Sequence, residues 1–132
     1  MTEPLLVETD VLVDTDILID ALRGFPQALG FIKSNQPQLR LSAITVTELY
    51  TGIRDPELEQ VRDLLGIFSI IPIESDIARR AGLIRRQYLR SHNLGLADAL
   101  IAATAQEAGI PLATLNRKHF PMMQVVTPYT KP

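Results

Sequence analysis

Five short runs of apolar residues, too dense to alternate with polar ones, recur between longer helical segments, and this pattern limits the fold more than any other feature. Val11 to Val13, Leu39 to Ala43, Phe68 to Ile71, Ile110 to Leu115 and Gln124 to Thr127 read as strands. A strand with no polar face is buried on both sides. The segments between them predict helices at Ile17 to Arg23, Pro26 to Lys33, Thr45 to Ile53, Ser75 to Arg90 and Ala97 to Ala108. DPELEQVRDLLG adds another, with Asp55 as N-cap, Pro56 at the first helical position and Gly66 as its stop. Strands separated by helices predict an α/β protein with a parallel sheet covered on both faces.

At 132 residues the chain suits one domain, able to bury roughly two thirds of the surface it would expose unfolded. Apolar residues make up 46% and charged residues 21%, which excludes the disordered class. With no cysteine, disulfides and thiolate metal sites are excluded, consistent with a reducing cytosol. The N-terminus, MTEPLLVETD, carries Glu3, Glu8 and Asp10 where a signal peptide would be basic. LLGIFSIIPI and LADALIAATA fall short of the ~20 residues that cross a bilayer. The expectation is a soluble, cytoplasmic protein with no membrane association. A net charge of −2 gives no global positive field for nucleic acid, although a local basic face stays open.

The acids at the ends of the apolar runs carry the chemistry. In VLVDTDILID, Asp14 closes the first strand, Asp16 is placed to cap the following helix, and Asp20 falls one turn later on a solvated helix face. Glu48 completes a capping box with Thr45 in Thr45-Val46-Thr47-Glu48, yet it also lies in the first helical turn after a strand. Asp98 suits the positive end of ADALIAATA, an apolar and therefore buried helix. Each acid has a local explanation. Together, Asp14, Glu48 and Asp98 fall at one sheet edge, the carboxyl ends of the strands, where ligands bind in such folds. Three carboxylates gathered there repel one another until a hard cation joins them, and without thiolates Mg²⁺ or Mn²⁺ is favoured over zinc.

VLVDTDILID, SAITVTELYTGI and ADALIAATAQEAGIPLATLNRKHFP, in that order, resemble the PIN-domain endoribonucleases, specifically VapC-type toxins of toxin–antitoxin pairs. The resemblance runs from about Asp10 to Thr127 and implies a single PIN domain over residues 1–132, a three-layer α/β/α sandwich with a central parallel sheet. It places the family's metal-binding and catalytic acids on Asp14, Glu48 and Asp98, with Asp16, Thr114 and Asn116 in support. A fourth acid of relatives is replaced here by Asn116 or His119, which implies one firmly held Mg²⁺ (Mn²⁺ substituting) and a weaker second. The implied reaction is hydrolysis of RNA, tRNA or rRNA, by metal-activated water, leaving a 5′-phosphate and a 3′-hydroxyl. The implied partners are a small VapB-type antitoxin and a second copy of the chain in a homodimer. Arg79, Arg86 and Arg90 lie within about 40° on one helix face and, with Arg117 and Lys118, are candidates for phosphate contacts or for a merely solvated basic surface.

Two other readings stay open at this level. A catalytically silent PIN scaffold would bind RNA or a partner without cutting. Asp14-Thr15-Asp16 after an apolar strand also resembles aspartate-nucleophile phosphatases, though the later acids Asp98 and Glu107 lack the close spacing of that class.

Overall fold

The computed structural model describes residues 3–131. Five parallel strands, β1 (Val11–Val13), β2 (Leu39–Ser42), β3 (Ser69–Ile71), β4 (Leu112–Ala113) and β5 (Val125–Val126), form one sheet in the order β3-β2-β1-β4-β5. The helices are α1 (Thr15–Leu22), α2 (Pro26–Asn35), α3 (Ala43–Thr51), α4 (Leu58–Leu65), α5 (Ser75–His92) and α6 (Leu96–Ala108). Leu12 at the centre of β1 pairs with Arg40 on one side and Leu112 on the other.

The pleat of β1 divides the core. Val11 and Val13 point to one face and pack with Ile17, Leu18, Phe31 and Val61 from α1, α2 and α4. Leu12 points to the other and packs with Ile84, Ile101 and Ala102 from α5 and α6. α6 buries Ala99 and the run Ile101 to Ala105, mostly small side chains, in this second cluster. This gives three layers, α/β/α. α3 closes the edge between them, with Leu49 in the first cluster and Ile44 against the second. Among the described residues no helix is long and apolar enough to cross a membrane.

The strands and helices fall where the sequence places them, but three helix starts and one acid differ. α1 begins at Thr15 with Asp14 as its cap, because Asp14 is extended (φ −70°, ψ 153°) and its Oδ1 accepts the Thr15 N–H at 2.8 Å. α3 begins two residues before Thr45: Ser42, the last residue of β2, is the cap and accepts the Ile44 N–H at 3.3 Å. Strand passes into helix with no loop, so Thr45 lies buried inside α3 and the capping box with Glu48 does not form. Asp55 opens only a 3₁₀ turn, tightened by the Arg54 N–H on Glu57 Oε1 at 3.1 Å, and α4 starts at Leu58. Asp20 is not solvated. It is only 4% exposed, because the C-terminal segment folds back over α1 and brings the Tyr129 hydroxyl (2.7 Å) and Lys131 Nζ (2.6 Å) onto its carboxylate.

Candidate functional site

The carboxyl ends of β1, β2 and β4 meet at one edge of the sheet, and the polar side chains there are tied to one another across long sequence separations. Asp14, directly after β1, is 6% exposed. Its Oδ1 holds the start of α1, and its Oδ2 accepts the Thr114 hydroxyl at 2.8 Å. Thr114, directly after β4, is fully buried and also accepts the Asn116 N–H at 3.0 Å. Burial, then the negative charge of Asp16, then that of Asp98 push the Asp14 carboxyl up to about 7, outweighing the two hydrogen bonds that favour its charged form.

Asp16 stands in the first turn of α1. Its Oδ2 accepts the Leu115 N–H at 3.1 Å, which ties α1 to the segment after β4. Its Oδ1 is buried without a hydrogen-bond partner among the described residues. Burial raises this carboxyl as well, and the Leu115 and Ile17 N–H groups, more than the Lys131 ammonium, offset part of that rise. A buried acceptor without a donor costs about 1–3 kcal/mol. An edge that carries one is built to receive something positive or protic.

Glu48 reaches the same edge from the second turn of α3, where its Oε1 lies 2.6 Å from the Thr15 hydroxyl. The Thr15 hydroxyl is also 3.1 Å from that of Thr45. A hydroxyl has one proton, and the shorter contact to a carboxylate takes it. Thr45 is then left to donate to Thr15. Asp98 sits in the first turn of α6, whose cap is Gly95, so it is not spent on capping. Its Oδ2 lies 3.4 Å from His119 Nδ1, and its charge acts on Asp14.

Asp14, Asp16 and Asp98 are thus coupled electrostatically, and Glu48 joins them through Thr15. Thr114 is at the centre of the edge, and Asn116 is on its exposed rim, in the turn that carries His119. Arg86 and Arg90 are exposed on the half of α5 nearest the start of α6. Arg79 stands apart, at the far end of α5 beside Arg80, which bonds Gln106 and Glu107 at the end of α6. Arg117 is exposed and reaches the Val125 carbonyl at 3.5 Å, with Lys118 exposed beside it. The sequence reading missed Thr15, whose role depends on a residue in another helix, and left His119 unassigned.

A carboxylate set without sulfur suits a hard divalent cation. Among the described residues no three Asp, Glu or His side chains form a ready cage for one. A divalent ion held at this edge would need water to complete its shell, as Mg²⁺ allows. The raised Asp14 and the unpartnered Asp16 oxygen support such an ion.

A parallel α/β/α sandwich with an acidic edge at the carboxyl ends of its strands defines a class of proteins, and comparison with known proteins identifies which. The PIN domain model matches residues 11–123, and the chain belongs to this family. Within it the chain is of the VapC type: it is 45% identical over 127 residues to "Ribonuclease VapC10" of Mycobacterium tuberculosis, covering 94% of this chain and 91% of the relative. It is 36% identical over 113 residues to "Ribonuclease VapC19" of the same organism, covering 83% and 90%. Among solved structures it is similar to a chain of a "Toxin-antitoxin complex from Klebsiella pneumoniae", with 39% identity, a TM-score of 0.79, and coverage of 92% of this chain and all of the other. Membership of this family displaces the phosphatase reading of Asp14-Thr15-Asp16.

Proposed function

We propose that this chain is a Mg²⁺-dependent endoribonuclease, a VapC-type toxin that hydrolyses phosphodiester bonds in tRNA or rRNA, with Asp14, Glu48 and Asp98 as its metal-binding acids. The observation that carries the reading is Asp14: a carboxylate at a strand end, raised first by burial and then by two neighbouring acids, in a chain 45% identical to a protein named a ribonuclease. A divalent cation bound at this edge would supply charge to the phosphate and a water acidic enough to attack it.

The residues of the chain do the remaining work. Thr15 N–H and the Thr114 hydroxyl hold both oxygens of Asp14, which fixes its rotamer before any ligand arrives. The Thr15 hydroxyl fixes Glu48 in the same way. Asp98 has its backbone fixed by α6, and its carboxylate faces His119 at 3.4 Å. No side chain here has to act as a covalent nucleophile. Mn²⁺ is expected to substitute for Mg²⁺, and the products to carry 5′-phosphate and 3′-hydroxyl ends.

The partner we propose is a small VapB-type antitoxin, supported by the relative solved in a toxin–antitoxin complex. We also propose a homodimer. The exposed Leu83, Leu89 and Leu96 on the α5–α6 side are compatible with a covered face.

The test is RNA cleavage by the purified protein with Mn²⁺, Mg²⁺ or EDTA, beside Asp14→Asn. Metal-dependent cleavage lost in the variant supports the proposal. Equal cleavage by both proteins, or none by either, would replace it with a silent PIN scaffold, the reading that the lack of a ready cage favours.

A further inference from the structure

Two hydroxyls, those of Ser42 and Thr104, lie fully buried where β2, α3 and α6 meet, and the acidic edge makes no direct use of them. Ser42 ends β2 and caps α3, and Thr104 stands in the second half of α6. The Thr104 Oγ1 lies 2.7 Å from the Leu100 carbonyl, one turn earlier in its own helix, and 3.2 Å from the Ser42 Oγ. A carbonyl can only accept, so the Thr104 proton goes to Leu100. The Ser42 proton then goes to Thr104, while Ser42 Oγ accepts the Ile44 N–H at 3.3 Å. The result is a one-way relay, Ile44 N–H to Ser42 to Thr104 to Leu100, in which each hydroxyl both donates and accepts.

Packing alone gives no reason for this relay. Valine has the branching of threonine without its hydroxyl, and a threonine that bonds the carbonyl four residues back slightly destabilises and bends a helix. The neighbours of Thr104 in α6 are Ala102, Ala103 and Ala105, all fully buried. Such small side chains interlock little, so apolar contact holds α6 in place sideways more firmly than along its own axis. A satisfied buried polar bond is directional and fixes that remaining freedom. Among the described residues, Thr104 to Ser42 is the one side-chain hydrogen bond between α6 and the β2–α3 corner. The other side-chain bonds that leave α6 run to α5 and to the segment between β4 and β5.

The relay joins the two helices that carry Asp98 and Glu48. Asp98 is six residues before Thr104 in α6, and Glu48 is six residues after Ser42 in α3, each about 9 Å along its helix. Thr15 orients Glu48, and Thr15 with Thr114 orients Asp14. Among the described residues no hydrogen bond ties Asp98 to either of them, and its link to Asp14 is through charge. We propose that Ser42 and Thr104 are positioning residues of the metal site, which set the spacing between Asp98 and Glu48 through α6 and α3. This rests on the metal-dependent reading above and adds to it two residues that touch neither metal nor substrate. Thr104→Val keeps the shape of the side chain, leaves the Ser42 proton without its acceptor, and frees α6 to settle at a different height.

The test is a Mn²⁺ titration of the purified protein, followed by the electron paramagnetic resonance signal of the free ion, beside thermal melts in EDTA. Thr104→Val is expected to raise the Kd for Mn²⁺ about 3- to 30-fold, the range for residues that act on a ligand without touching it. Thr104→Ser, which keeps the hydroxyl, is expected to bind like wild type. Ile101→Val, which thins the same buried helix elsewhere, is expected to melt lower at unchanged Kd. Ser42→Ala interrupts the relay from its other end, and adding Thr104→Val to it is expected to weaken binding no further. A wild-type Kd in Thr104→Val, an equal loss in Thr104→Ser or Ile101→Val, or a full additional loss in the double variant would each overturn the positioning role. Should Thr104→Val not fold, Ser42→Ala decides, and a wild-type Kd there overturns it. The failures are distinct: a wild type that binds Mn²⁺ no better than its variants keeps the metal reading and loses the positioning role. A wild type that binds no Mn²⁺ loses both.

Discussion

The Thr15 hydroxyl lies 2.6 Å from Glu48 Oε1, joining the first turn of α1 to the second turn of α3 across 33 residues of sequence. Thr15 thereby serves the site twice, since its N–H also holds Asp14. One residue sets the spacing between two of the acids.

Thr15→Val keeps the shape of the side chain and removes the donor. We expect activity to fall about 10–100-fold, the range seen when a partner that orients a ligating group is lost. Thr15→Ser, which keeps the hydroxyl, is expected to restore most of it. Equal activity in all three proteins in a steady-state cleavage assay would mean that Glu48 needs no orientation.

Asp14 makes stability depend on pH. Below about 4 its carboxyl is protonated folded or unfolded and has no effect. Between there and about 7 the unfolded chain gives up the proton while the folded chain holds it, so stability falls as pH rises, and the full cost persists above 7. The shift from 3.8 to about 7 corresponds to a cost on the order of 4 kcal/mol. Asp14→Asn can still accept the Thr15 N–H and carries no charge. It is expected to melt higher than wild type at pH 8 without divalent metal, with the gap closing at pH 4. A variant no more stable at pH 8 would contradict the raised carboxyl.

Divalent metal is expected to narrow that gap. At a hundredfold excess over its Kd, a ligand that binds only the folded chain stabilises it by about 2.7 kcal/mol. Mn²⁺ should raise the melting temperature of wild type, EDTA should restore the original value, and Asp14→Asn should respond weakly. Identical metal responses in the two proteins would remove Asp14 from the binding site.

Asp20 and Tyr129 allow a test away from the acidic edge. The Tyr129 hydroxyl bonds a buried carboxylate at 2.7 Å, while its ring packs on Phe25 with centroids 5.5 Å apart. Burial and the Asp20 charge both hold this phenol well above its ordinary range, so it remains a donor throughout the working pH. Tyr129→Phe keeps the ring contact and removes the donor, and is expected to cost about 1.5–3 kcal/mol in urea unfolding at pH 7. Lys131→Met should cost less, because half of that side chain is exposed and its charge is screened. A larger loss for Lys131→Met would mean that the ammonium carries the clamp.

Much of this molecule was legible in one dimension. Val11-Leu12-Val13 has no polar face, and it became the central strand with one core on each side. The alanines after Asp98 indicated a buried helix, and that helix packs into the core with Leu12 and Leu112 of the sheet. The positions of Asp14 and Glu48 at one edge follow from parallel strands, since every strand then ends on the same side, whereas Asp98 comes after a second helix, α5, and needed the folded structure to place it.

Partners were another matter. The choice between Ser42 and Thr45 as cap depends on where β2 stops, and Ser42 is held in the sheet by its pairing with Ile71 of β3. Asp20 looked like a surface acid because its two donors come from residues 109 and 111 positions later. Thr15 gave no sign of its bond to Glu48, and Thr114 none of its bond to Asp14 a hundred residues away. Periodicity and capping patterns express interactions within a turn or two of the chain, so they read directly from neighbouring letters. Hydrogen bonds between side chains on separate elements depend on which strands lie side by side, and only the folded sheet, in the order β3-β2-β1-β4-β5, brings those donors and acceptors within reach.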